Sequence, residues 1–265
     1  MKILGILNVT EDSFSDGGKF LDPAAAIAQA QKLMADGADA IDIGAASSNP
    51  GAKPVPPETE IARLAAVLPA LQAKGVPVSV DSFAPEVQRW ALAEGVGMLN
   101  DIHGFADAAL YPALAASDCK LIVMHMVQAR GVAVKTEVPS AEIFARVTAF
   151  FDARIAALTM AGIARERLIL DPGMGQFVGA DPENSLILLR RLPELKARYG
   201  LPLLISVSRK GFLRKLSGRP IAAIGPATLA AELFAARQGA DIIRTHDVAA
   251  LRDGLKILES LGEPH

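Results

Sequence analysis

Residues 76–102 read VPVSVDSFAPEVQRWALAEGVGMLNDI. Of two short β-rich apolar runs, Val76 to Asp81 finishes on Asp81 and Gly97 to Ile102 carries Asn100-Asp101 just before its end, and residues 84–94 between them carry apolar side chains at helical spacing. Gly95 stands where a helix C-terminal cap belongs. Strand, helix and strand in this space make one β-α-β unit, whose crossover returns the chain over the sheet face and so makes the strands parallel.

The same phrase recurs along the chain. Further apolar runs lie at Ile3 to Val9, Ala40 to Gly44, Leu121 to Met126, Leu168 to Asp171, Leu203 to Ser208 and Asp241 to His246. Helical patterns cover residues 23–36, 58–74, 141–161, 184–199, 226–238 and 248–261, with a weaker one at 106–117 that Pro112 interrupts. Prolines in Asp22-Pro23 and Gly225-Pro226 mark helix starts, and Gly37, Gly75, Gly162 and Gly239 mark helix ends. Eight units in 265 residues predict a closed (β/α)8 TIM barrel with its active site at the C-terminal ends of the strands. An open doubly wound sheet is disfavoured, because no Gly-x-Gly-x-x-Gly opens a helix after the first strand. No linker or composition break divides the chain, so residues 1–265 are read as one domain.

The composition narrows the function. Hydrophobic residues make up 51% of the chain, aromatics 5%, and the formal charge is −2. Without a field of one sign the chain has no nucleic-acid or membrane surface, and small molecules are the expected partners. A single cysteine, Cys119, excludes an internal disulfide and suits a reducing cytoplasm, where it reads as a small buried hydrophobe. The apolar start, MKILGIL, is too short for a signal h-region or a membrane span.

In a barrel of this kind the residue at each strand end decides the chemistry. Here these are Asn8, Asp42, Asp81, Asn100-Asp101, His125, Asp171, Ser208-Arg209-Lys210 and Arg244-Thr245-His246. Singly, such groups cap helices or turns as often as they bind anything. Together, the middle strands offer carboxylates and amides, which suit a heterocycle edge bearing N–H donors beside a carbonyl. The last strands offer cations, which suit an anion, and loops seven and eight are the habitual phosphate site of the fold. Cysteine partners and His pairs at helical spacing are absent, which argues against zinc; Gly-x-Ser-x-Gly is absent, which argues against a nucleophile-elbow hydrolase. His125, between Met124 and Met126, reads as a satisfied core histidine.

Six strings identify a family: GILNVTEDSFSDGG (5–18), SVDS (79–82), LNDI (99–102), LDPGMG (170–175), SVSRK (206–210) and RTHD (244–247). In order and across the whole chain, they resemble the motifs of dihydropteroate synthase. The resemblance implies a transferase of folate synthesis. It joins (7,8-dihydropterin-6-yl)methyl diphosphate to 4-aminobenzoate and releases pyrophosphate, with Mg²⁺ as cofactor and a homodimer as the assembly. It also implies roles. Asp81, Asn100, Asp171 and Lys210 bind the pterin edge between walls formed by Ile102 and Met124. Asn8 helps hold Mg²⁺ and the diphosphate, and Arg244 with His246 clamps the pyrophosphate. The catalytic set is then Asp81, Asp171, Lys210, Arg244 and His246.

Two loops depart from the usual pattern. Where the family carries Ser-Thr-Arg-Pro-Gly, this chain has Ser47-Ser48-Asn49-Pro50-Gly51, so the loop cation is gone. After the sixth strand the basic residue of the family is replaced in Met174-Gly175-Gln176-Phe177-Val178-Gly179. Both loops resemble the branch that contains mobile, sulfonamide-insensitive synthases. The benzoate pocket is assigned by this resemblance to Ser48, Asn49, Pro50, Gln176, Phe177, Ser208 and Lys210. Two other readings share the pterin contacts: a methyltransferase barrel acting on methyl-tetrahydrofolate, and a non-catalytic pterin-binding relative.

Overall fold

The computed structural model describes residues 1–10, 22–48, 51–128, 131 and 136–262. Asn49 and Pro50, and the string after Thr10 in the first motif, lie outside the described residues. Eight parallel strands are β1 (Lys2–Asn8), β2 (Ala40–Gly44), β3 (Val78–Asp81), β4 (Met98–Asp101), β5 (Lys120–Met124), β6 (Leu168–Asp171), β7 (Leu204–Ile205) and β8 (Ile242–Thr245). They pair in the order β6-β5-β4-β3-β2-β1-β8-β7. A bridge between Leu170 and Leu203 closes the ring, with Leu170 N donating to Pro202 O at 2.9 Å. The architecture is the expected (β/α)8 barrel.

Helices cross over between strands: α1 (Pro23–Ala35), α2 (Pro57–Ala65), α3 (Leu68–Ala73), α4 (Pro85–Ala93), α5 (Tyr111–Ala115), α6 (Ile143–Met160), α7 (Pro182–Arg190), α8 (Leu192–Tyr199), α9 (Gly211–Ser217), α10 (Gly225–Arg237) and α11 (Val248–Ser260). The continuous helices expected at 58–74 and 184–199 are each broken in two. Pro69 and Pro193 lack the N–H that would continue the preceding ladder, so the chain re-enters helix with proline in the first turn. The strand expected from Val76 starts at Val78 for the same reason, Pro77 having no N–H to offer β2. The run expected to reach Ser208 pairs only at Leu204–Ile205, since Lys210 N turns back to Val207 O at 3.1 Å.

Alternation along each strand sorts the side chains. One set, including Ile41, Ile43, Val80, Leu99, Leu121 and Ile243, packs against the helices in the main core. The other set points into the barrel, where Leu4, Ala40, Ile122, Ile169 and Leu204 pack with Met98 and Ile242 in a separate apolar floor. Two residues further along the same strands the inward positions turn polar: Asp42 after Ala40, Asn100 after Met98, Asp171 after Ile169, Arg244 after Ile242. This second layer is the bottom of the site.

Candidate active site

The layer is knitted across strands that are remote in sequence. Asn100 Nδ2 donates to Asp42 Oδ2 at 3.1 Å, Arg244 Nε donates to the same oxygen, and Arg244 Nη2 donates to Asp81 Oδ2 at 2.7 Å. Asp42 is fully buried, yet its Oδ1 and the Oδ1 of Asn100 have no hydrogen-bond partner among the described residues. A buried acceptor left unmatched costs roughly 1–3 kcal/mol, a cost tolerated where a ligand supplies donors.

Charge is strained in the same place. Burial pushes Asp81 up to about 7 although Arg244 opposes it. Burial pushes Asp171 up to about 6 against the Gly173 N–H, which donates to its Oδ1 at 2.8 Å, and against Lys210. Lys210 is pulled down to about 8, by burial first and then by Arg244. Arg244 stays above its ordinary value in spite of burial, because Asp42 and Asp81 face it. Acids raised and a lysine lowered within one enclosed cluster are the signature of a binding or catalytic site.

Backbone geometry fixes these groups. Asp171 leads into Pro172-Gly173, where Gly173 has φ +75° and a Cβ would sit 2.4 Å from His125 O, so only glycine lets the two loops meet. The following 3₁₀ turn, Gly175–Val178, presents Gln176 and Phe177. Lys210 Nζ lies 4.5 Å from the Phe177 ring centre, a cation–π contact. Phe177 in turn packs with Ile102, Met124, Met126 and Phe83, an apolar wall beside the polar floor. Arg209, just before Lys210, is held at φ +58°, backbone strain of the kind that clusters at functional sites.

A second network supports β8. Ser208 Oγ lies 2.9 Å from His246 Nδ1 and accepts from His246 N at 3.2 Å and from Thr245 Oγ1 at 3.4 Å. With those donors on Ser208, its own proton goes to Nδ1, which leaves His246 with Nε2–H free to donate outward. The sequence grouped His246 with the cations. Burial, with Arg209, Arg244 and Lys210 nearby, instead holds the ring well below its ordinary value, so it acts as a neutral donor.

Thr245 also meets Glu232 of α10, which is 1% exposed and pushed up to about 8 by burial, with Asp247 adding to the rise. The unfolded chain ionises this acid near 4.5, whereas the folded protein keeps the proton until about pH 8. Its contribution to stability is therefore complete below pH 4.5 and is lost as pH rises to 8. Glu232→Gln should melt like the wild type at pH 5 and at least about 3 °C higher at pH 8.5 by calorimetry. Equal melting shifts at both pH values would contradict this assignment.

The remaining strand-end residues divide. Asp101 accepts from His103 N at 2.7 Å and Phe105 N at 2.9 Å, and so caps its own turn. His125 is buried, donates Nδ1–H to Pro172 O at 3.1 Å and meets Phe150 edge-on, which is the core-histidine role. Asn8 ends β1 and Ser48 lies in the loop after β2, both half-buried. Beside Gln176 a cavity of about 780 Å³ opens, lined by Gly211, Arg214, Lys215 and Arg219 among others. Asp42 was noted at its strand end but given no role; its inward phase, two residues past Ala40, was the available signal.

Comparison with known proteins decides the family. Residues 4–246 match the pterin-binding enzyme family. The chain is 62% identical to the type-2 dihydropteroate synthase of Escherichia coli, over 98% of this chain and 96% of that protein. The chain belongs to the dihydropteroate synthase family. It is also 51% identical to a type-3 dihydropteroate synthase of Escherichia coli, over 98% and 99% of the two chains. A solved dihydropteroate synthase of Xanthomonas albilineans with 4-aminobenzoic acid superposes with TM-score 0.88 at 39% identity, covering 98% of this chain and 93% of that one. The residues to which the dihydropteroate synthase motifs assigned pterin contacts, Asp81, Asn100, Ile102, Met124, Asp171 and Lys210, line the polar floor and the wall beside it.

Proposed function

We propose that this chain condenses (7,8-dihydropterin-6-yl)methyl diphosphate with 4-aminobenzoate, giving 7,8-dihydropteroate and pyrophosphate. The observation that supports it best is the enclosed acid–amide floor spanned by Arg244 and faced by Lys210, which matches a donor-rich heterocycle joined to an anionic arm. Asp81, Asn100 and Asp171 accept from the 2-amino and ring N–H groups, and Lys210 donates to ring oxygen and nitrogen. Ile102 and Met124 cover the ring faces. Arg244 and the Nε2–H of His246 hold the diphosphate.

In the reaction the methylene C–O bond breaks and its electron pair leaves with pyrophosphate, while the pterin ring spreads the positive charge left on carbon. The aniline nitrogen then bonds to the methylene and loses its proton to water. Positioning and fixed electrostatics carry this step, and no strong base is required. The benzoate pocket is assigned to Ser48, Asn49, Pro50, Gln176, Phe177, Ser208 and Lys210, of which Asn49 and Pro50 lie outside the described residues, and Gln176 also lines the neighbouring cavity. Purified protein given both substrates should yield 7,8-dihydropteroate by mass spectrometry. Transfer of a methyl group, or binding without product, would favour the methyltransferase or the non-catalytic reading.

Among the described residues no group of three His, Cys, Asp or Glu side chains could hold a metal. We assign Mg²⁺ mainly to the diphosphate and water, with the Asn8 amide oxygen as its protein ligand. When bound, the ion would neutralise charge on the leaving pyrophosphate. We assign the protein to the cytoplasm because its single cysteine suits a reducing compartment. Exposed Phe234 on α10, with Ile257 and Leu261 on or just after α11, supports a homodimer through these late helices. A monomer by light scattering would contradict it.

The altered loops support discrimination against sulfonamides. Phe177 is 6% exposed and clamped between Lys210 and the Met124–Met126 wall, so the pocket boundary beside it cannot easily yield. A planar carboxylate fits where a substituted sulfonyl clashes. Deleting Phe177 should lower the ratio of the sulfonamide Ki to the 4-aminobenzoate KM by at least about tenfold. An unchanged ratio would defeat this part of the reading.

A further inference from the structure

Arg244 does more in this structure than wait for a diphosphate. Its planar guanidinium spans the polar floor from β8, with Nε on Asp42 Oδ2 and Nη2 on Asp81 Oδ2 at 2.7 Å. The side chain is 14% exposed and the Asp42 side chain 0%. Two N–H donors on one planar C–N framework thus meet two carboxylates on neighbouring strands.

The pyrimidine edge of a pterin is chemically the same object. Its amino carbon bears an exocyclic NH₂ and two ring nitrogens, which is a guanidine built into a ring. The donors that a pterin would bring to Asp81 are those that Arg244 already supplies. The guanidinium bridges Asp42 and Asp81 and engages Asp81 Oδ2, one of the two oxygens that a second planar donor would use.

We infer that Arg244 is an internal competitor for the pterin edge, and that the anionic arm of the substrate relieves the competition by drawing the guanidinium off Asp81. This rests on the pterin reading of the site. It makes Arg244 a specificity-determining residue. A pterin with a diphosphate arm supplies its own means of freeing Asp81, because Arg–phosphate pairing replaces the Arg–carboxylate contact. A pterin with a neutral arm must bind against Arg244, so it is selected against although its ring is identical. Asp42 has a distinct part: sharing Arg244 with Asp81 and held by Asn100, it is a positioning residue that fixes the guanidinium in the competing place.

The test is calorimetric binding of two ligands with the same ring, 6-hydroxymethyl-7,8-dihydropterin and its diphosphate, to wild type, Arg244→Lys and Arg244→Ala. The lysine variant keeps a cation for the buried acids while losing the two-donor fork, which guards against a variant that fails to fold; melting curves check both. Each folded variant should bind the neutral pterin at least about fivefold more tightly than wild type and the diphosphate more weakly. Neutral-pterin affinity that is unchanged or weaker in both would overturn the competition while leaving the pterin reading intact, provided wild type binds the diphosphate. Failure of wild type to bind the diphosphate at all would overturn the pterin reading itself, and the competition with it.

Discussion

Lys210→Met lowers kcat/KM for the dihydropterin diphosphate by about a hundredfold or more. The lysine is expected to donate two charge-assisted hydrogen bonds to ring oxygen and nitrogen, each worth roughly 1.5–3 kcal/mol, and methionine keeps its length without either. The loss is aggravated because Asp81 and Asp171 both face this ammonium and lose its charge. A pH signature accompanies it. Since Lys210 is pulled down to about 8, wild-type kcat/KM should fall as pH rises through about 8, where the free enzyme loses this proton. In Lys210→Arg that limb should move beyond the measurable range, whatever the residual rate. Persistence of the limb near pH 8 in the arginine variant would remove Lys210 from the site.

Asp171→Asn comes second in size, with kcat/KM reduced at least about tenfold. The amide keeps the shape and can still accept from Gly173 N, so the turn survives, but the charged acceptor proposed for the pterin edge is lost. Because burial raises Asp171 to about 6, wild-type activity should also fall as pH drops through about 6, and the variant should lack that contribution. The neighbouring Asp81, raised to about 7, shares the acid limb, so the limb belongs to the pair and not to one residue. Steady-state kinetics over pH 5–9 reads both effects. Unchanged kinetics in Asp171→Asn would sink its assignment.

Much of this was legible in the sequence for a physical reason. A parallel barrel needs buried strands and amphipathic crossovers, and both leave strong local patterns. The strand ends were legible as well, because a polar residue after an apolar run stands out. Which polar ends bind and which merely cap was not legible. Asn100 and Asp101 are adjacent, yet one faces the barrel and the other holds its own turn at His103 and Phe105.

Pairings across the barrel were also hidden. Arg244 meets Asp42 across 202 positions, and nothing local to either residue encodes that contact. Glu232 sat inside an ordinary helical pattern until β8 packed against it. The seven-residue helix α9 was too short to show a period. The broken helices, by contrast, were readable in principle from Pro69 and Pro193, where the apolar spacing masked the missing donors.

The polar floor and its two cations are proposed to join a pterin to an arylamine with loss of pyrophosphate. The most direct measurement is pyrophosphate release by the purified protein with both substrates, with each omitted in turn, and with Lys210→Met in place of wild type. Release that needs both substrates, matches 7,8-dihydropteroate one for one and collapses in Lys210→Met is the predicted result. Release absent with both substrates, or undiminished in Lys210→Met, would contradict the account.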